Sequence, residues 1–471
     1  RSTGGADAVR REVRVEPDGR RIERVESGVL RDPRSLDLSI PKDVIDGSVK
    51  GFVKLYPSTL SQVMEGLENI FQMPYGCFEQ TSSTTYPNVL VLDYLKRTGK
   101  ASPEITAKAE GYIHLGYQRL VGYEVPGGGF DWWGRPPANR MLTAYGLMEF
   151  QDMAKVHEVD PNLITRTRDW LVKQRQADGS WLPDGHGINE GVLNMIRAGD
   201  ARLRITAYVA WAVYSHPGVA GADLTRDFLK RHEPTTLQDP YTLALVANAL
   251  LALDPQGASS KPYIERLSAL RKTSPDGKHI WWELPDQVVS PFFGRGRAGS
   301  VETTAMAVLA LIAAKAPNSD IGGAVDWLTA QRDPRGLWHS TQATVLALKA
   351  LVAGTDIAAS GKGQGRSLQY ALDLARPTDV VIADDQADVV HVIDLSEALT
   401  PGEHKLALGN TGANAPVYQV VWWYHVPESS GGDRDRSAGG FSIDLTLDRT
   451  ELALDQTVEA TVAIRNNSEQ P

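Results

Sequence analysis

The chain has 471 residues, 42% hydrophobic and 23% charged, proportions of a globular protein that exclude a collagen-like repeat or a largely disordered chain. Its 58 Asp and Glu against 49 Lys and Arg leave a formal net charge of −9. That argues against nucleic acid as the partner, because phosphate binding wants a basic face.

In chain order, the first pattern is strand-like, with Val13 and Val15, a turn at Asp18-Gly19, Ile22, then Leu36, Leu38 and Ile40 on alternate positions. From about Ser58 to Ala353 the period becomes helical. Gly361 to Gly365 reads as a linker, followed by strand-like runs at Val389–Leu395, Lys405–Leu408 and Val417–Val426. A second linker, SSGGDRDRSAGG, precedes strict alternation at Phe441, Ile443, Leu445 and Leu447, repeated at Val458, Ala460, Val462 and Ile464. The economical reading is a helical domain inserted into a β domain, with a further β domain beginning near Phe441. Two separate small β units would give the same periodicity. The chain starts on Arg and stops soon after a strand-like run, so it is expected to be a piece of a longer protein. Its longest apolar runs, such as TLALVANALLAL from Thr242, fall short of the roughly 18 residues that cross a bilayer, and no transmembrane segment is expected in it.

The helical region repeats. Apolar helices begin near Thr143, Thr206, Thr242, Thr303 and Thr344, and several follow a turn bearing tryptophan: GGGFDWW, DGSW, HIWW and RGLW. More polar helices lie between them, at Leu163–Gln176 and Ile321–Arg332. Helices apolar nearly all round are buried, whereas one apolar stripe marks an outer layer. Alternating inner and outer helices predict a closed α/α toroid, with the tryptophans as packing anchors rather than a ligand cage.

The single cysteine, Cys77, cannot form an internal disulfide, so any covalent role is thiol chemistry. Before it, Leu60, Val63, Met64, Leu67, Ile70 and Phe71 follow helical spacing after a candidate cap at Ser58. Pro74 and Gly76 then break the pattern, and a new helix is expected to start before or around Pro87, with Gly99 a candidate stop. Cys77 therefore sits at a junction. Gln80 is three residues on, a spacing that in a helix or turn brings Cβ atoms to about 5–6 Å. A thiol so placed can attack the glutamine amide carbon, expel ammonia and close a thioester. The product is activated, because sulfur carries negative charge well, with a free thiol pKa of about 8.5.

The string MPYGCFEQ followed by TSSTTYPNVLVLDYL resembles the thioester segment of the α2-macroglobulin and complement family. Most of the chain shares the resemblance. It implies an α+β multidomain protein: a thioester-bearing α/α toroid over 53–358 inserted into a β-sandwich CUB domain (1–52 and 366–428). The start of a macroglobulin-like β-sandwich domain follows at 440–471. It also implies that Cys77 and Gln80 are the thioester partners, Glu79 the accompanying acid, and Tyr75, Phe78 and Tyr86 candidate shielding aromatics. Phe78 stands where animal members most often have Gly, and a bulky residue there is more like bacterial members. A later position in the family selects the nucleophile, His favouring hydroxyls and Asn favouring amines. Asn194 in EGVLNMIRAGD is the best match, with His186 in DGHGINEG its rival.

The implied function is a broad-spectrum protease inhibitor, not an enzyme, that is cut by a protease in a bait segment elsewhere and captures it through a surface lysine. The implied setting is the periplasm or the cell exterior, with other macroglobulin domains of the full-length protein as partners and no cofactor or metal. Two alternatives stay open. QADGSW and QRDPRGLW resemble the Gln-Gly-Trp repeats of toroid terpene cyclases and prenyltransferases, although neither a DxDD motif nor a zinc-spaced set is present. A non-covalent recognition module of the same fold is the other.

Overall fold

The computed structural model describes residues 17, 19–56, 72–97, 103–185, 198–216, 218–333, 337–358, 366–383, 390–412, 416–427, 441–449 and 458–466. Within them, strands from both ends of the chain build one two-layer sandwich. β1 (Arg20–Val29), β3 (Lys50–Tyr56), β8 (His391–Asp394) and β10 (Val417–Val426) form a sheet in the order β1-β10-β3-β8. β2 (Arg34–Ile40), β6 (Arg366–Leu372), β7 (Thr378–Ile382) and β9 (Gly402–Asn410) form the other, in the order β2-β9-β6-β7. All pairings are antiparallel, with Val29 opposite Val417 and Ile40 opposite Gly402. Leu38, Leu55, Leu368, Leu406 and Val420 from the two inner faces share one core, as alternating strands require. The two ends thus pair across the helical region. β3 pairs with β10 as far as Tyr56. Val53 and Leu55 keep the two-residue period that buries one face, but the helical pattern begins so soon afterwards that the strand's end is masked.

Between these strands lie the helices. α1 (Phe78–Arg97), α3 (Arg140–Met153), α5 (Ala198–Tyr214), α7 (Pro240–Leu253), α9 (Gly296–Ala313) and α11 (Thr341–Ala358) contact one another in sequence, and α11 returns to α1 to close a ring. α2 (Pro103–Val121), α4 (Pro161–Lys173), α6 (Ala222–Lys230), α8 (Lys261–Ala269) and α10 (Asn318–Ala330) pack outside it. A short hairpin, β4 (Lys272–Thr273) with β5 (Ile280–Trp281), follows α8. The layers differ as their patterns predict. In α7 every residue except Ala252 is buried, whereas α4 buries only the stripe Leu163, Thr167 and Leu171. Asp239 and Asp160 cap these two helices, each followed by a proline that needs no amide partner there.

The tryptophans join the layers by a repeated device. The indole N–H of Trp181, Trp282 and Trp338 donates at 2.7 Å to the carbonyl of Leu171, Leu267 and Leu328, near the end of the preceding outer helix. The backbone N–H of the same residues donates to the hydroxyl of Thr206, Thr304 and Thr344 in the next inner helix, at 2.9, 3.1 and 3.1 Å. Phe130 makes the backbone half of this contact to Thr143. Thr304, not Thr303, does this in α9; the Thr303 hydroxyl bonds back to Gly299.

α10 lies against β1, where ion pairs Arg31–Asp326, Lys278–Asp32 and Arg34–Asp276 join sandwich and ring. Gln419 of β10 also donates to the Asp333 carbonyl at 3.3 Å, fixing the connection between α10 and α11. β11 (Phe441–Leu447) pairs with β12 (Ala460–Asn466) as a separate two-stranded unit.

Candidate reactive site at the start of the first ring helix

Cys77 immediately precedes α1 and is buried, with no disulfide. α1 runs straight through Pro87, so the break lies at Gly76 and the helix starts a full nine residues before the proline. Pro87 cannot donate to the Ser83 carbonyl. In the turn before it the Thr84 hydroxyl bonds the carbonyls of Gln80 and Thr81.

The junction is clamped by elements distant in sequence. The Gly76 carbonyl accepts from the Tyr123 hydroxyl and from Arg119 Nη2, the latter at 3.2 Å. Phe78 N–H donates to the Trp132 carbonyl at 3.0 Å. Thr81 Oγ1 donates to the Tyr75 carbonyl at 3.2 Å. So held, Gly76 adopts φ +78°, a conformation glycine takes without cost.

Glycine is needed there for a second reason. The Gln80 side chain curls back so that its Oε1 accepts from Cys77 N–H at 3.2 Å, and a Cβ on Gly76 would lie 1.9 Å from that oxygen. The cysteine and the glutamine carboxamide are therefore brought together, with a backbone donor aimed at the oxygen that gains charge when the carbonyl carbon is attacked. Donors so placed stabilise acyl-transfer transition states.

Beside Gln80 opens a pocket of about 470 Å³. Tyr75, Glu79 and Gln80 form one wall; Leu337, His339 and Thr341, at the start of α11, form the other. Glu79 ties the walls together, its Oε1 accepting from Ser83 at 2.7 Å and from Thr341 at 3.0 Å. Thr341 and His339 were not visible from spacing, since they follow Glu79 by more than 250 residues. The one local sign was that His339 directly follows the Trp338 anchor.

The three aromatics take different places. Tyr75 is 57% exposed and lines the pocket. Phe78 is fully buried, its ring 5.1 Å from Phe130 and 6.1 Å from Tyr123. Tyr86 is buried towards the ring's centre, donating to Asp152 Oδ2 at 2.5 Å and accepting from Lys349 at 2.9 Å. Burial, then the Asp152 charge, pushes the Tyr86 phenol well up. Burial also opposes ionisation of Asp152, but Lys349, 2.8 Å away, and Lys155 outweigh it and hold that carboxyl below its usual range. Asn194 and His186 lie outside the described residues.

Among the described residues no group of three His, Cys, Asp or Glu is arranged to hold a metal ion, and no helix is long and apolar enough to cross a membrane. The centre of the ring, lined by Tyr145, Tyr208, Tyr241 and Glu302, encloses about 20 Å³. That is room for about one water.

A family model described as the A-macroglobulin TED domain matches residues 52–353. Ovostatin of Gallus gallus is 25% identical over 470 residues, covering 95% of this chain and 30% of that protein. Salmonella α2-macroglobulin reacted with methylamine superposes with a TM-score of 0.60 at 16% identity, over 95% of this chain and 27% of that one. The native conformation of E. coli α2-macroglobulin gives 0.58 at 16% identity, over 92% and 24%. The chain thus spans less than a third of the length of each of these relatives. With a closed helical ring flanked by β-sheets and the family model matched across that ring, the chain belongs to the A-macroglobulin family.

Proposed function

We propose that Cys77 and Gln80 form an internal thioester that lysine amines attack, and that this chain is the reactive portion of an inhibitor that captures proteases covalently. The observation that carries the reading is the Gln80 carboxamide folded onto the Cys77 N–H across Gly76. In bond formation Cys77 Sγ attacks Gln80 Cδ, charge gathers on Oε1 opposite the Cys77 N–H, and ammonia leaves. In capture an amine attacks the same carbon, the C–S bond breaks, and an amide and a free thiol result. One cysteine suffices, because its partner is a glutamine. The Salmonella relative was solved after reaction with methylamine, which supports amine chemistry in this fold.

An activated acyl group must be kept from water until it is needed. Tyr75 shields it on the pocket side, while Phe78 and Tyr86 hold α1 in place beneath it. Other macroglobulin domains of the longer protein complete the seal. Asn194 selects amines, with His186 the rival for that position. The sandwich is the CUB domain, β11 and β12 begin a macroglobulin-like domain, and the protein works in the periplasm or outside the cell, where foreign proteases are met.

Mass spectrometry with thiol titration tests this. The native protein should be lighter than its sequence by one ammonia, should gain one methylamine at Gln80, and should then release one thiol. Cys77→Ala should abolish all covalent capture at a stability cost of about 1 kcal/mol. A free thiol in fresh protein beside an untouched Gln80 carboxamide would sink the reading.

A further inference from the structure

We propose that the pocket beside Gln80 is an amine-docking pocket, in which Glu79 receives the incoming ammonium and His339 takes its proton. This rests on the thioester reading and extends it to the acceptor. A lysine amine arrives charged, with an ordinary pKa of about 10.4, and an ammonium cannot attack a carbonyl carbon. A site that uses lysine efficiently therefore needs an anion to dock the cation and a base to deprotonate it.

Both groups line this pocket. Glu79 precedes Gln80, and its Oε1 is fixed by Ser83 and Thr341. Its Oε2 has no hydrogen-bond or ion-pair partner among the described residues, so a carboxylate oxygen is left available in the pocket that Gln80 also lines. Across the pocket stands His339, exposed and in the left-handed region at φ +60°. A non-glycine residue persists there only when its surroundings over-determine it.

They do so here. Trp338 is tied by its indole to Leu328 and by its backbone to Thr344. Ser340 accepts from Ala343 N–H at 3.1 Å and so caps α11. His339 is caught between these two fixed points. In the other repeats the tryptophan and its threonine are 25 and 22 residues apart; here they are six apart, and the short link forces the turn that presents the imidazole.

The step balances. The ammonium gives one proton to the His339 imidazole, and the neutral amine attacks Gln80 Cδ. The C–S bond breaks towards Cys77, the proton still carried by the attacking nitrogen passes to the departing sulfur, and the imidazolium releases its own proton to solvent.

The test uses the full-length protein and times thiol release by methylamine, by Nα-acetyl-lysine, and by hydroxylamine, which is already neutral at pH 7. His339→Gln should slow the first two reactions about 100-fold at pH 7. It should erase the imidazole inflection from their pH profile and leave hydroxylamine unchanged. Glu79→Gln, with its thioester first verified by mass, should weaken saturation by the charged amines and spare hydroxylamine. If wild type holds the thioester and His339→Gln leaves the amine rates and pH profile unaltered, the docking proposal is overturned while the thioester stands. If wild type holds no thioester, both fall.

Discussion

The start of α1 and the starts of the later ring helices solve one problem in two ways. At α3, α5, α9 and α11 a threonine hydroxyl receives the backbone N–H of an aromatic residue from the preceding turn, and in three of the four the indole also reaches an outer helix. These joints are buried, satisfied and repeated. At α1 the incoming amide, Cys77 N–H, is instead taken by the helix's own Gln80 side chain, and the glycine before it is gripped through its carbonyl. The joints that hold the ring use side chains with no reactive atom. The exceptional joint uses a thiol and a carboxamide, and there a capping contact doubles as an arrangement for acyl chemistry.

The contrast can be broken at its strong side first. Trp282→Ala removes a fully buried indole and its bond to Leu267, and should cost about 3–5 kcal/mol in urea unfolding. Methylamine should still release the Cys77 thiol from whatever protein folds. Loss of thiol chemistry in a well-folded Trp282→Ala would show that the two kinds of joint are not separable.

A second route goes through Glu302 on α9. Burial raises its carboxyl to about 8, against the favourable hydroxyls of Ser290 and Ser340. Below its ordinary value near 4.5 both folded and unfolded forms are protonated, so there is no penalty. As pH rises from there to about 8 the unfolded chain ionises while the native acid stays neutral, and stability should fall by a few kcal/mol. Glu302→Gln should flatten that slope between pH 5 and 8, measured by denaturant midpoint; an unchanged slope would assign it elsewhere.

The smallest change in stability is expected at the exceptional joint. Gly76→Ala places a methyl against Gln80 Oε1 and strains a positive φ, costing about 1–3 kcal/mol. Its chemical effect should be far larger: displacement of Gln80 should leave a free thiol from the outset. A Gly76→Ala protein that still takes up methylamine would detach the reaction from this geometry.

Much of this was legible in sequence because burial writes its period into the chain. A strand-like run located β10 at its observed ends, Val417 and Val426. The near-continuous apolar runs marked the ring helices, and the punctuating tryptophans marked the turns. Where signals overlap, sequence is less clear. β3 ends as a helical period begins, and Pro87, ordinarily a boundary residue, sits inside α1. The reactive pair was visible because it is local, three residues apart. Its surroundings were not, since Tyr123, Thr341 and His339 reach it only through closure of the ring, and no spacing rule encodes that closure.

The strand arrangement has a consequence for how the chain is made. Among the described residues β1 is an edge strand whose neighbour in its sheet is β10, so it finds its partner only after residues 417–426 emerge from the ribosome. Through the whole synthesis of the helical ring it waits with an open hydrogen-bonding edge, an invitation to pair with another nascent chain. Its composition answers the hazard: Arg20, Arg21, Glu23, Arg24 and Glu26 crowd ionised groups into the ten-residue strand, and such gatekeepers resist intermolecular pairing while leaving the native register with β10 intact.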